Sequence, residues 1–400
     1  MSYNQNRRAY SSGRRQSIHQ PRSTTRRPKK EFIHPSRFIQ SATSTQKEDY
    51  SPRNAFSDFA IHSLLQDNLI AKGYTIPSPI QDQTIPLGLS GRDVVGIANT
   101  GTGKTAAFAI PLLNRLITNH QDRALILAPT RELAQQIEDQ CREIAKGTGL
   151  RGALLIGGVS IGPQYRELKL NPQIVIGTPG RIKDHSEQRT LNLASFNIIV
   201  LDEVDRMLDM GFINDISHIL GKTAPKRQSY FFSATLDSKV TTIIQGFASD
   251  PTHVVVKTGD TADNVDQNVV SYNGKDEKIA KLHDLLLQKA VVKTLVFDDT
   301  HRSVERLSKE LQTRGFDSDA IHGGKSQSQR QRALQRFRDN QVKILVATDV
   351  AARGIDVSDI THVVNYSEPQ SYGDYVHRIG RAGRAGRPGY ALTFVEQQGY

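Results

Sequence analysis

The stretch Ala98-Asn99-Thr100-Gly101-Thr102-Gly103-Lys104-Thr105 constrains this chain more than any other. Before it stands Asp93-Val94-Val95-Gly96-Ile97, short and apolar enough for a buried parallel strand, and after it Ala106 to Leu116 carries apolar residues at helical spacing. Strand, glycine loop and helix in that order form a phosphate-binding loop. Gly101 and Gly103 permit the positive φ values at which backbone N–H groups turn inward around phosphate oxygens, near the positive end of a helix. Lys104 adds a point charge for β- and γ-phosphates, and the Thr105 hydroxyl suits Mg²⁺. Ala98 stands where the pattern G-x-x-x-x-G-K-[ST] begins with glycine.

Around that loop, 400 residues suggest two or three domains. A composition 37% hydrophobic and 23% charged is that of a globular chain, and no apolar run is long enough to span a bilayer. The lone Cys141, spaced with Leu133, Ile137 and Ile144 on an apolar helix stripe, excludes an internal disulfide and suits a reducing, cytoplasmic compartment. Net charge is +11, and residues 1–50 hold most of it: 11 Lys+Arg against 3 acids. That basic segment has too few apolar residues to offset its ordering entropy, so a disordered tail is expected. It reads as an arm for phosphate backbones, as a solubilising tail, or as a targeting peptide.

The folded part begins near Phe56, which stands seventeen positions before Gly73. Gln81 follows, with an amide able to pair with the N6 and N7 edge of adenine, while Phe56 offers a ring for stacking. Ala124–Pro129, Leu154–Gly158, Ile174–Thr178, Ile198–Leu201 and Tyr230–Ser233 are short apolar runs separated by helical stretches. This βαβ alternation predicts an α/β fold with a parallel sheet whose strands end at the ligand. Polar clusters stand at those ends: Pro129-Thr130-Arg131-Glu132-Leu133, Gly157-Gly158, Thr178 to Arg181, Asp202-Glu203-Val204-Asp205 and Ser233-Ala234-Thr235. A carboxylate such as Asp202 at a buried strand end can hold Mg²⁺, and Glu203 beside it can orient or deprotonate a water attacking phosphorus. Residues 254–264 read as a linker, after which helical and strand signals resume at Lys278–Leu287, Thr294–Phe297, Val304–Leu311 and Lys343–Ala347. This second α/β unit carries His322-Gly323-Gly324, Gln327, Arg330, Thr348 and the run His377 to Arg384, where arginines spaced by glycines suit close approach to phosphates.

These motifs, in this order over residues 56 to 396, resemble the DEAD-box RNA helicases of superfamily 2. The resemblance implies two tandem RecA-like domains with parallel sheets, an ATP-binding one over 51–253 and a C-terminal one over 265–400, preceded by the basic tail. They would close together on ATP and RNA, hydrolyse ATP and separate short duplexes. It implies ATP and Mg²⁺ as cofactors, RNA held mainly by its sugar-phosphate backbone, a monomer and no membrane. By the same resemblance Phe56 and Gln81 select adenine; Thr100, Gly101, Thr102, Gly103, Lys104 and Thr105 hold phosphate, with Thr105 and Asp202 at the metal. Glu203 positions water, Gly354 and Asp356 approach the ribose, and Arg381 and Arg384 act as arginine fingers. RNA contacts fall to Thr130, Arg131, Gly158, Thr178, Arg181, Gln327, Arg330 and Thr348, and coupling of hydrolysis to strand separation to Asp205, Ser233, Thr235 and His377. Two departures stand out: Val204 replaces the alanine of the family name, and the sequence ends soon after the strand at Tyr390–Val395, where the family usually adds a helix. An ATP-gated RNA clamp and a nucleotide-independent RNA-annealing protein are the rival readings; Lys104, Glu203, Arg381 and Arg384 argue against the latter.

Overall fold

The computed structural model describes residues 31–42, 50–99, 101–256, 265–352, 357, 359–383 and 388–397. In the first half seven strands form one parallel sheet: β1 (Val94–Ile97), β2 (Ala124–Leu127), β3 (Gly152–Leu155), β4 (Ile174–Gly177), β5 (Ile198–Leu201), β6 (Gln228–Ser233) and β7 (Thr252–Val255). Their spatial order is β3-β4-β2-β5-β6-β1-β7. In the second half six more form another parallel sheet: β8 (Val265–Tyr272), β9 (Thr294–Phe297), β10 (Ser318–Ile321), β11 (Ile344–Ala347), β12 (His362–Asn365) and β13 (Gly389–Glu396). These lie in the order β10-β11-β9-β12-β13-β8. Strand β7 runs to Val255 and is registered on β1, with Ile97 opposite Val255.

Strands buried on both faces need apolar residues on both, which is why their runs are continuous and not alternating. Val94, Ile126, Val200 and Phe232 face one helical layer of the first sheet, and Val95, Leu125, Leu201 and Phe231 face the other. The second sheet repeats the scheme, with Leu295 and Leu345 on one side and Val296 and Val346 on the other. A parallel strand cannot reverse directly, so each connection crosses a face and returns, bringing every strand's carboxyl end to the same edge.

Strand β3 lies at Gly152–Leu155 and not at Leu154–Gly158, because Gly158 takes a left-handed φ of +72° and belongs to the turn. Part of the expected tail is packed. Residues 31–42, the portion bearing Phe32, Ile33, Phe38 and Ile39, lie on the second sheet. Phe38 meets Tyr375 with ring centroids 4.7 Å apart, and Arg37 lies 3.8 Å over the Tyr372 ring. Gln40 makes an antiparallel bridge with Gln267 of the edge strand β8. Further along, the Tyr50 hydroxyl donates to Asp82 on the first unit at 2.5 Å, and the backbone N–H groups of Arg53 and Asn54 donate to the same carboxylate at 2.9 and 3.1 Å. Thus the chain touches the second unit before it builds the first. Residues 1–30, 43–49 and 257–264 lie outside the described residues. No helix among the described residues is long and apolar enough to cross a membrane.

Truncating Phe38 removes the main apolar anchor of this segment. Phe38→Ala should release it, at a cost on the order of 3 kcal/mol in docking, while the global melting temperature moves little because the opening is local. Limited tryptic cleavage at Arg37 checks this: wild-type and mutant protein cut at equal rates would show that the anchor lies elsewhere.

Candidate nucleotide and nucleic-acid site

The loop after β1 is shaped by its glycines. Gly101 and Gly103 have φ of +81° and +91°, and a Cβ on Gly103 would come within 2.3 Å of the Gln81 amide nitrogen. Gly103 caps the helix Lys104–Thr118, whose second residue is the half-buried Thr105. Lys104 is buried, its Nζ donating to the Ala98 carbonyl at 3.0 Å, so the ammonium is held over the loop. Thr102 closes the turn by donating its hydroxyl to the Asn99 carbonyl at 2.8 Å. Thr100 lies outside the described residues.

Gln81 is fixed from two sides. Its Nε2 donates to the Gly103 carbonyl at 3.1 Å and its Oε1 accepts from the Ser78 backbone N–H at 2.9 Å. One amide proton and one lone pair remain, the pair of roles that an adenine edge needs. Phe56 is placed differently from the expectation of an open stacking face. It is 3% exposed, edge-to-face with Phe59 and Tyr74 at centroid distances of 5.7 and 5.3 Å. Three aromatic residues packing together bury more apolar area than one ring left against solvent.

Beyond β5, Asp202 is 2% exposed and its carboxyl is pushed up to about 6, by burial first, with Lys104 opposing and Glu203 reinforcing. Glu203 takes a left-handed φ of +54°, uncommon for a residue with a side chain, and its N–H donates to Asp202 Oδ1 at 3.0 Å. Asp205, the second residue of the short helix Val204–Asp209, reaches the strand-β6 motif: its Oδ2 accepts from the N–H groups of Ala234 and Thr235 and from the Thr235 hydroxyl, each at 3.2 Å. Ser233 Oγ accepts from the Asp205 N–H at 3.4 Å. Val204 is fully buried on the apolar layer, where its extra methyls are accommodated.

The second cluster of expected residues lines the same edge. Thr130 caps the helix Arg131–Ile144 by accepting from the Leu133 N–H at 3.2 Å. The Arg131 guanidinium lies against Gly158, where a Cβ would meet Nη1 at 2.0 Å. Arg181 donates to the Val159 carbonyl at 3.5 Å, and Thr178 is buried at the head of the helix Pro179–Glu187. From the second unit, Gln327 and Arg330 cross over to the first. Arg330 Nη2 is 2.8 Å from Glu132 Oε2, and Gln327 Nε2 donates to Glu132 Oε1 at 3.1 Å. Glu132, 4% exposed, was read from the sequence only as one member of the polar cluster Pro129 to Leu133 and given no role of its own. A carboxylate so buried needs a cation, but its partner lies almost two hundred positions away, so no local pattern marks it.

Among the described residues, three buried polar atoms of the second unit have no partner: Gln327 Oε1, Arg330 Nε and Thr348 Oγ1. A guanidinium proton and a hydroxyl are donors suited to a phosphate oxygen, and an amide oxygen is an acceptor suited to a ribose hydroxyl. Near the interface of the units His377 and Arg381 line a small crevice with Arg206 and Asp374, the last two 3.9 Å apart across it. Arg378 is buried and bidentate to Asp349, at 2.6 and 2.7 Å. Gly354, Asp356 and Arg384 lie outside the described residues.

Comparison with known proteins follows the same division. The family model for DEAD/DEAH box helicases matches residues 78–243 and that for the helicase conserved C-terminal domain matches residues 277–386. The chain is 43% identical over 342 residues to the DEAD-box ATP-dependent RNA helicase CshA of Bacillus subtilis, covering 85% of this chain and 69% of that protein. It is 44% identical over 349 residues to ATP-dependent RNA helicase CshA of Listeria monocytogenes, covering 86% and 67%. Among solved structures it is similar to S. cerevisiae Dbp5 bound to RNA and ADP BeF3, with TM-score 0.76, 28% identity, 86% of this chain and 90% of that one. Mss116p bound to single-stranded RNA and AMP-PNP gives TM-score 0.79 at 29% identity, covering 88% and 76%.

Asp202 generates a pH-dependent prediction for the ligand-free protein. Since burial raises its carboxyl, the folded state keeps a proton that the unfolded chain, with its carboxyl near 3.8, has already lost. The contribution is complete below pH 4 and disappears as pH rises through about 6; the shift corresponds to on the order of 3 kcal/mol. Asp202→Asn should therefore melt higher than wild type at pH 8, with chelator and without nucleotide, and the difference should shrink towards pH 4. Equal melting curves at pH 8 would mean that the carboxylate is already compensated in the fold.

Proposed function

The chain belongs to the DEAD/DEAH-box helicase family, and on that premise we propose how its own residues run the reaction of an ATP-dependent RNA helicase. It hydrolyses ATP and unwinds RNA. The observation that carries the reading is a single edge where Lys104, Asp202, Glu203 and the Asp205 to Thr235 link stand together, while Glu132 of that edge grips Arg330 and Gln327 of the second unit.

In this reading ATP lies along the loop 98–105, its adenine edge on the free donor and acceptor of Gln81, its phosphates on the inward N–H groups and Lys104. The loop fits a polyphosphate: Gly103 leaves the space that a Cβ would close, and Lys104 is held over it by a carbonyl that a phosphate oxygen can outbid. Thr105 and Asp202 suit Mg²⁺, because a buried carboxyl shifted towards its neutral form regains its charge when a cation arrives. The metal, when bound, neutralises charge on the phosphates. Glu203 orients the attacking water and accepts its proton; its strained backbone aims it off the strand end. Arg381, with Arg384, supplies positive charge to the transferring phosphoryl group from the second unit. Asp205, bonded to both N–H groups and the hydroxyl of the Ala234-Thr235 turn, passes displacement at the nucleotide to that turn, with His377 on the facing side.

RNA crosses both units along Thr130, Arg131, Gly158, Thr178, Arg181, Gln327, Arg330 and Thr348. The unpartnered donors at Arg330 and Thr348 take phosphate oxygens, and Gln327 Oε1 takes a 2′-hydroxyl. The two units, the first expected to end at 253 but carried to Val255 by β7 and the second over 265–400, act as a monomer in the cytoplasm. Strand separation of matched RNA and DNA duplexes, with and without ATP, tests the whole: RNA-selective, ATP-dependent unwinding is expected, whereas tight ATP-gated binding without strand separation would make the chain a clamp.

Two substitutions test the roles. Glu203→Gln should retain ATP and RNA binding yet slow hydrolysis by about 10²-fold or more, since an amide cannot take the water's proton; near-normal turnover would place the base elsewhere. Gln81→Ala should erode discrimination of ATP against GTP by roughly tenfold, the loss of a paired donor and acceptor. Unchanged relative KM values for the two nucleotides would remove Gln81 from base recognition.

A further inference from the structure

The turn His322-Gly323-Gly324 is not used by the chemistry above, yet it carries a stacked pair of imidazoles. His301 follows β9 and His322 follows β10, and their rings lie 4.9 Å apart at 26°. His322 is buried and committed at both nitrogens. Its Nδ1 accepts from the Gly324 N–H at 3.1 Å, so its proton sits on Nε2, which faces Glu305 Oε1 at 2.8 Å. Glu305 is held in turn by Lys325 at 2.9 Å. The inner ring is thereby fixed in place and tautomer. His301 rests on it and is itself exposed. The two glycines leave room for the outer ring: a Cβ on Gly323 would come to 3.2 Å of His301 Nε2, and one on Gly324 to 3.3 Å of its Nδ1.

A groove of about 560 Å³ runs from His301 along the helix His301–Thr313, past Arg302, Arg306 and Lys309. These three cations have no ion-pair partner among the described residues, whereas the acids beside them are occupied: Glu305 by Lys325 and His322, Glu310 by Arg314 at 2.8 Å. An exposed flat ring on a rigid base, bordered by uncompensated cations, matches the two requirements of single-stranded nucleic acid, stacking for a base and charge for its phosphate. Its position agrees. Strands β10 and β9 flank β11, which ends just before Thr348, and the Thr348 N–H donates to the carbonyl of Ile321, the residue before His322.

We propose that His301 is a stacking platform for one base of single-stranded RNA, with the adjoining phosphate on Arg302 and Arg306, so that the second unit binds a base as well as backbone. The proposal rests on the RNA-helicase reading. A stacked base adds sequence-tolerant affinity, because every base presents a π face, and it fixes where along the strand the protein sits.

The test uses the full chain with a non-hydrolysable ATP analogue and a single-stranded RNA in which 2-aminopurine is walked one position at a time. Wild type should quench the probe strongly at one position, and an abasic nucleotide there should weaken binding about tenfold. His301→Ala should abolish the quench, raise Kd by the same factor on intact RNA, and cause no further loss on the abasic strand; His301→Phe should restore both. Arg302→Ala with Arg306→Ala should lower the salt dependence of binding and leave the quench in place. The proposal is overturned if His301→Ala binds intact RNA as wild type does, if its loss is as large on the abasic strand, or if phenylalanine does not rescue. Wild-type protein that binds no RNA with the analogue overturns the helicase reading itself, and this proposal with it.

Discussion

Everything in this molecule follows from the inability of a parallel strand to turn straight back. Each connection has to cross a face of the sheet, and so the carboxyl ends of β1, β2, β5 and β6 bring Ala98, Thr130, Asp202 and Ser233 to one edge, although they are spread over well over a hundred positions of sequence. At that edge the chain runs out of hydrogen-bonded backbone and must satisfy its groups by other means. The bonds it makes there are local and polar: Gln81 to Gly103, Lys104 to Ala98, Asp205 to Thr235. All of them are bonds that a charged ligand can rearrange without disturbing the apolar layers beneath. The same geometry, repeated in the second sheet, sets Thr300, His322 and Thr348 side by side.

Between the two edges stands Glu132. A carboxylate buried against Arg330 gains little net stability, because both ions lose their water. What such a pair supplies is discrimination: separated, each ion is left poorly compensated, so intermediate arrangements of the units are disfavoured relative to fully docked or fully solvated ones. Burial weakens Arg330's hold on its proton, with Glu132 opposing and Arg131 reinforcing that effect. On the proposed reading, an anionic ligand beside Arg330 and Thr348 would shift the balance towards docking, turning occupancy by a polyanion into a preference for one arrangement.

Legibility in the sequence tracked how local each feature is. The loop at 98–105 and the acids at Asp202 to Asp205 could be read because spacing, strand and helix lie within a few residues. The core strands with continuous apolar runs could be read too. Strands β10 and β12 were not, since Ser318-Asp319-Ala320-Ile321 and His362-Val363-Val364-Asn365 mix polar residues into four positions, and β8 alternates as an edge strand does. Glu132 could be read as part of the cluster after β2, but not its role, because its partners come from the other unit. Phe56 was identified as an aromatic face, but its burial between Phe59 and Tyr74 depends on packing that no periodicity records. The His301–His322 stack joins two residues twenty-one positions apart, and only the glycine pair hinted at it.

The segment holding Ile33 and Phe38 has its partners, Val265, Tyr375, Ile379 and Ala391, in the second unit, more than two hundred positions further along the chain. A ribosome delivers these residues in the opposite order from that in which they can pack. The first sheet can complete itself as soon as β7 has emerged, whereas the apolar residues near the amino terminus stay unpaired until β13 is made, about 350 residues later. Attachment of this segment therefore waits until β13 has been made. Until then Ile33 and Phe38 lack the apolar partners that cover them in the folded chain.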